Sequence, residues 1–119
     1  GVAAGLHLIK KHSQAVKFYR KVIALNPNAG YAHGGLAGAY RRLGERARYL
    51  KHMQQARDLI PADDQFAQAC LASIAGNTDL AFDLLGQYLA SHPHARYMAL
   101  TTAVFEFVRE DERWGKLLG

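Results

Sequence analysis

Apolar residues recur along this chain at intervals of three and four, with polar residues between them. That spacing lines one side of an α-helix. The pattern is punctuated at regular places. Prolines stand at 27, 61 and 93, separated by 34 and 32 residues, and each opens a short polar turn: "LNPNAG", "LIPADD" and "SHPHAR". A second set of breaks lies between them: "KKHSQ" at 10–14, "LGER" at 43–46, "AGNTD" at 75–79 and "REDER" at 109–113. Gly44 and Gly76 suit helix C-terminal positions, and Ser13, Thr78 and Asp111 suit N-caps. Eight helices are expected, roughly 1–11, 14–25, 29–43, 46–59, 64–75, 79–90, 95–108 and 112–118. No run alternates with period two, so no sheet is expected and the fold class is all-α.

A repeat near 34 residues built from helix pairs resembles the tetratricopeptide repeat, whose signature is W-x2-L-G-x2-Y, then A-x3-F, then P. The second repeat matches best. His33 takes the Trp place, Leu36-Ala37 the Leu-Gly pair and Tyr40 the Tyr, and Met53, Ala56 and Pro61 complete it. The first repeat supplies Ala15, Tyr19 and Pro27, and the third Cys70, Ile74, Ala81, Leu85 and Pro93. In the fourth, the Tyr place falls on Glu106. The resemblance implies a right-handed α-solenoid of antiparallel helix pairs, three to four repeats in one domain over 1–119. Its repeats would be about 1–28, 29–62, 63–94 and a partial 95–119. The chain begins directly in helical pattern without Met, and is read as a piece of a longer protein.

In tetratricopeptide geometry the first helix of each repeat lines a concave groove. That mapping would display His7, Tyr31, Gly34, Gly38, Arg41, Gln65, Gln68, Tyr97 and Leu100, together with Ala4, Ala72 and Val104. Within "AGYAHGGLAGAYRRLG", residues 29–44, Gly30, Gly34 and Gly38 lie four apart on one helix face. Each helical glycine costs about 1 kcal/mol relative to Ala, so a reason is needed. One reason is close approach of a ligand or partner helix. The other is packing: Gly35 or Gly38 makes room for a large ring, with Tyr49 the candidate. A phosphate loop is excluded, because it needs a preceding strand and a Lys-Ser/Thr after the last glycine.

Charge divides the chain. Residues 1–57 hold eleven Lys/Arg against Glu45 alone, while 58–119 hold four against nine acids. The densest cluster, Arg41, Arg42, Arg46, Arg48 and Lys51 with His52, is read as directed toward an acidic partner. Nucleic acid is the weaker reading, since Tyr40 belongs to the core in the repeat template and is not offered for base stacking.

Chemistry is sparse. The single cysteine, Cys70, excludes an internal disulfide, inclines the reading toward a reducing, cytoplasmic compartment, and falls at a buried repeat position. His92-Pro93-His94 reads as turn histidines, and His33 as a packed residue, so no metal site is expected. Ser13, Ser73 and Ser91 form no nucleophilic constellation, and neither catalysis nor a cofactor is expected. No run of about 20 apolar residues is present. The function expected is a non-catalytic module that binds a protein or peptide segment in the groove. The alternative is a structural or self-association role. In that alternative the apolar residues of "RYMALTTAVFEFVRE" and "RWGKLLG" form a weak homodimer interface through Phe105, Phe107 and Trp114.

Overall fold

The computed structural model describes residues 2–119, with side chains from Ile9 onward. It is helical and, among the described residues, holds no strand. The chain forms two compact units, residues 1–60 and 61–119, divided at the Pro61 turn.

The first unit contains α1 (Val2–Leu25), α2 (Gly30–Arg42) and α3 (Arg46–Leu59), with α2 packed against both neighbours. The break expected at "KKHSQ" is absent, and α1 runs unbroken for 24 residues. The segment holds neither glycine nor proline, and none of its residues costs a helix more than about 0.7 kcal/mol. His12, at its centre, is buried, where a turn would be exposed. Ser13 is therefore a helix-interior residue and not an N-cap.

The later stops behave as the sequence implies. Gly44 adopts φ 76°, where Gly44 N–H donates to Arg41 O at 3.1 Å and Glu45 N–H to Tyr40 O at 2.9 Å. Those two bonds close α2 in a Schellman arrangement that only a left-handed residue permits at low cost. Gly76 repeats it with φ 83°, Gly76 N–H donating to Ser73 O and Asn77 N–H to Ala72 O.

The second unit contains α4 (Gln65–Ala75), α5 (Thr78–Ser91), α6 (Arg96–Thr101) and α7 (Glu112–Leu118), with 3₁₀ turns at Pro93–Ala95 and Ala103–Phe107. Asp64 caps α4 and Asp111 caps α7 through side-chain oxygens that accept from Ala67 N–H and Arg113 N–H. The cap of α5 is Asn77, which accepts from Leu80 N–H, and Thr78 is the first helical residue. The helix expected over 95–108 is split. Thr101 and Thr102 turn their hydroxyls back to the carbonyls of Tyr97 and Met98, and Thr102 is extended at ψ 114°. Such back-bonding competes with helix continuation.

The split turns Phe105 inward. Its ring is fully buried, edge-on to Phe66 at 5.6 Å and 5.8 Å from Trp114. Around it lie Ala69, Ala72, Phe82, Leu85, Ala99, Val108 and Leu118. Phe105 is thus a core residue and not the exposed interface residue expected from the sequence; Phe107 and Trp114 are half-buried. Ser73, also buried, donates to Val104 O at 2.8 Å and ties the 3₁₀ turn to α4.

The glycines of α2 are explained in part by a ring, and the ring is Tyr19 of α1 rather than Tyr49. A Cβ at Gly35 would stand 2.3 Å from Tyr19 Cζ and 2.6 Å from both Cε atoms. A rigid ring cannot yield that space by rotation of a chain end. Gly35→Ala is therefore expected to lower stability, the overpacking cost of about 1–3 kcal/mol exceeding the gain of about 1 kcal/mol in helix propensity. Thermal unfolding followed by circular dichroism should show a reduced Tm that Tyr19→Leu restores in the double variant. An unchanged Tm in Gly35→Ala would contradict the packing account.

Candidate binding site: a cationic cleft around Tyr40

Continuity of α1 places Ser13, Val16, Lys17 and Arg20 at positions i, i+3, i+4 and i+7, on one side of one helix. Opposite them stand Tyr40 and Leu43 from the end of α2, Glu45 from the turn, and Arg48 from the first turn of α3. These eight residues line an open cleft of about 290 Å³ within the first unit.

Tyr40 is its floor. The ring is only 2 % exposed, so its hydroxyl must find a partner inside the protein. Arg20 supplies two donors, Nε at 3.1 Å and Nη2 at 2.5 Å. The Arg48 guanidinium carbon lies 5.7 Å from the ring centroid, a cation–π distance, while Arg20 stands off the hydroxyl end of the ring, so two cations meet at one phenol. Arg48 also donates to Glu45 at 2.9 Å across an exposed pair. Such a surface pair contributes little stability, and it biases the guanidinium toward the cleft only weakly.

Behind the floor the rings continue. His52 stacks on Tyr40 with centroids 5.6 Å apart, and His33 stacks on His52 at 5.4 Å, both at 22°. His33 Nε2 lies 3.0 Å from Pro27 O, and His33 Nδ1 lies 3.1 Å from His52 Nδ1. A carbonyl only accepts, so His33 carries its proton on Nε2 and presents a lone pair at Nδ1. His52 Nδ1–H then donates to it. The two facing nitrogens are thereby satisfied by one proton. The half-buried His52 imidazole is pushed down to about 4, chiefly by desolvation, with the nearby Lys51 and Arg20 charges acting in the same direction; Gln55 opposes the shift. A neutral ring is what the cationic surroundings favour.

The groove residues read from the sequence lie elsewhere. Tyr31 is exposed on α2 and Arg41 is exposed near its end, but Gly34 and Gly38 are buried between them and are not displayed. In the second unit Gln65 and Gln68 are half-buried in α4. Gln65 Nε2 donates to Gln87 at 3.0 Å and Gln68 Nε2 to Pro61 O at 3.1 Å. Tyr97 and Leu100 are exposed on α6. His7 lies outside the described side chains. The cleft gathers a different set, of which sequence reading found Arg48 as part of the basic cluster and Tyr40 as core. The signal for the α1 members was the S-x2-V-K-x2-R spacing over 13–20, of which the turn expected at 10–14 detached Ser13.

Outside the cleft, Cys70 packs against the second unit's core, and burial pushes its thiol up to about 12, far from a reactive thiolate. No cluster of three or more His, Cys, Asp or Glu side chains suited to a metal occurs among the described residues. No described helix is long and apolar enough to cross a membrane. No protein-family profile, curated protein or solved structure matches the chain at a significant level.

His52 gives the site an acid sensitivity of definite sign. In the folded chain it binds its proton less readily than the ordinary imidazole value of 6.5, so the unfolded chain takes up protons first as pH falls. The stability it contributes is complete above pH 6.5 and is lost progressively down to about 4. Urea unfolding across that window should show a shallower decline for His52→Gln than for the natural chain. Identical declines would remove His52 as the cause.

Proposed function

We propose that the chain is a non-catalytic helical-repeat module, of the tetratricopeptide kind, that binds an acidic protein segment on the cationic face of its first unit. The observation that carries this reading is the cleft, where Lys17, Arg20 and Arg48 meet the single carboxylate of Glu45 over a buried aromatic floor. Around it Arg41, Arg42, Arg46 and Lys51 are exposed on α2 and α3. A surface of one sign raises the association rate of an oppositely charged partner and orients its approach.

Two observations support the repeat assignment. The proline turns keep spacings of 34 and 32 residues. The residues at the signature places of the second repeat, His33, Leu36, Ala37, Tyr40, Met53 and Ala56, are all buried. In this reading α2 with α3 and α4 with α5 are antiparallel pairs of a right-handed solenoid, and the unbroken α1 is a single helix rather than a repeat pair. Self-association is the second reading, and it rests on α6, where Tyr97 is 76 % exposed and Met98 and Leu100 are each 41 % exposed. A concentration-dependent sedimentation coefficient abolished by Leu100→Asp would favour it.

For the leading reading, a fluorescent oligoglutamate peptide is expected to bind with an affinity that falls as salt rises. Exposed charges are screened beyond roughly 8 Å at physiological ionic strength. Reversing Arg41, Arg42, Arg46 and Arg48 to Glu should abolish that binding and leave helicity intact. Salt-independent binding, or binding retained by the reversed variant, would sink the proposal.

A further inference from the structure

We infer that the cleft around Tyr40 is a subsite for one phosphorylated serine or threonine side chain of a protein segment, which deepens the acidic-segment reading and rests on it. Charge is the first argument. The cleft walls carry three cations, Lys17, Arg20 and Arg48, against one acid, Glu45. Glu45 already gives Arg48 a carboxylate at 2.9 Å, so a second singly charged group leaves the site under-neutralised. A phosphate monoester brings about −1.5 to −2 charge and three acceptor oxygens, which matches the excess.

Preorganisation is the second argument. An arginine has five N–H donors in a planar fork. Arg20 gives Nε and Nη2 to Tyr40, which leaves its Nη1 edge for a ligand oxygen and holds the fork in one plane. Arg48 is drawn to the same place by Glu45 at 2.9 Å and by the Tyr40 ring. A ligand meeting such side chains loses less rotamer freedom than it would against unconstrained ones. The Ser13 hydroxyl adds one neutral donor, and Val16 and Leu43 offer apolar surface to the carbon that carries the phosphate.

Size and stacking decide the kind of phosphate. A cleft of about 290 Å³ is at the small end of ligand sites, adequate for a modified side chain and cramped for a nucleotide. Binding a single strand of nucleic acid would also want an open aromatic face. Tyr40 offers none: His52 lies against its ring, the Arg48 guanidinium lies within 6 Å of its centre, and 2 % of the residue reaches solvent.

The test uses the full 119-residue chain and three labelled peptides alike except for one central residue: phosphoserine, glutamate or serine. The phosphoserine peptide is expected to bind about tenfold tighter than the glutamate one. Lys17→Ala, at an exposed position, is expected to erase most of that preference, weakening the phosphoserine peptide far more than the glutamate one. Equal affinity for the phosphoserine and glutamate peptides overturns the phosphate inference but leaves the acidic-segment reading standing. Failure of both peptides overturns both. A preference that survives both Lys17→Ala and Arg48→Ala overturns the cleft as its location. Displacement of the phosphopeptide by a short single-stranded RNA of higher affinity overturns the choice of partner.

Discussion

The buried hydroxyl of Tyr40 is the constraint on which the first unit depends. A phenol ring that fills the space among α1, α2 and α3 must take its polar tip with it, and an unpartnered hydroxyl there would cost about 1–3 kcal/mol. Arg20 answers from α1. Because it answers with a cation, the contact that completes the core also places charge at the surface. Glu45 and Arg48 follow from the same place in the chain, since the Schellman closure at Gly44, whose Glu45 N–H bonds to Tyr40 O, turns the backbone from α2 into α3. On the other side, His52 and His33 carry the polar accounting inward to the Pro27 carbonyl, so the ring column ends on a satisfied acceptor.

The second unit solves a different problem. Its elements are short: α6 has six residues and α7 seven, neither long enough to bury a broad stripe alone. The 3₁₀ turn at Ala103–Phe107 substitutes for helix length by delivering Phe105 into the space between Phe66 and Trp114. At the rim, Arg113 donates to Asp111 and to Asp79, joining the start of α7 to the start of α5. The Arg113 guanidinium, and after it the Arg113 backbone N–H, hold the Asp111 carboxyl down to about 2.

Most of the helix inventory was legible because its punctuation is chemical. Pro27 and Pro61 follow helix ends, Pro93 opens a 3₁₀ turn, and Gly44 and Gly76 sit where positive φ is required. Two readings failed for the same reason: polar or β-branched residues were weighed without their tertiary setting. "KKHSQ" looked like a turn because it is polar, yet nothing in it breaks a helix and His12 packs inside. "ALTTAVF" looked like continuous helix, yet paired threonine hydroxyls and the pull of a buried phenylalanine ended it. Of the candidate site, only Arg48 and the core place of Tyr40 could be read. Val16, Lys17 and Arg20 share one face of the helix expected over 14–25, but what that face meets, Leu43 and Glu45 included, is set by tertiary packing; the mistaken turn hid only Ser13.

The unbroken α1 has a consequence for how this surface can change. Ser13 and Arg20 are seven residues apart on one rod, about 10 Å at 1.5 Å per residue, and their separation is as stiff as the helix. Two helices joined by a hinge would let the same side chains drift independently, and substitutions at the hinge would retune their spacing gradually. A single rod allows no such gradation. A one-residue insertion anywhere between them rotates one against the other by about 100°, and the cleft is then either kept whole or dismantled. The surface is thus free to vary in the identity of its charges but rigid in their spacing.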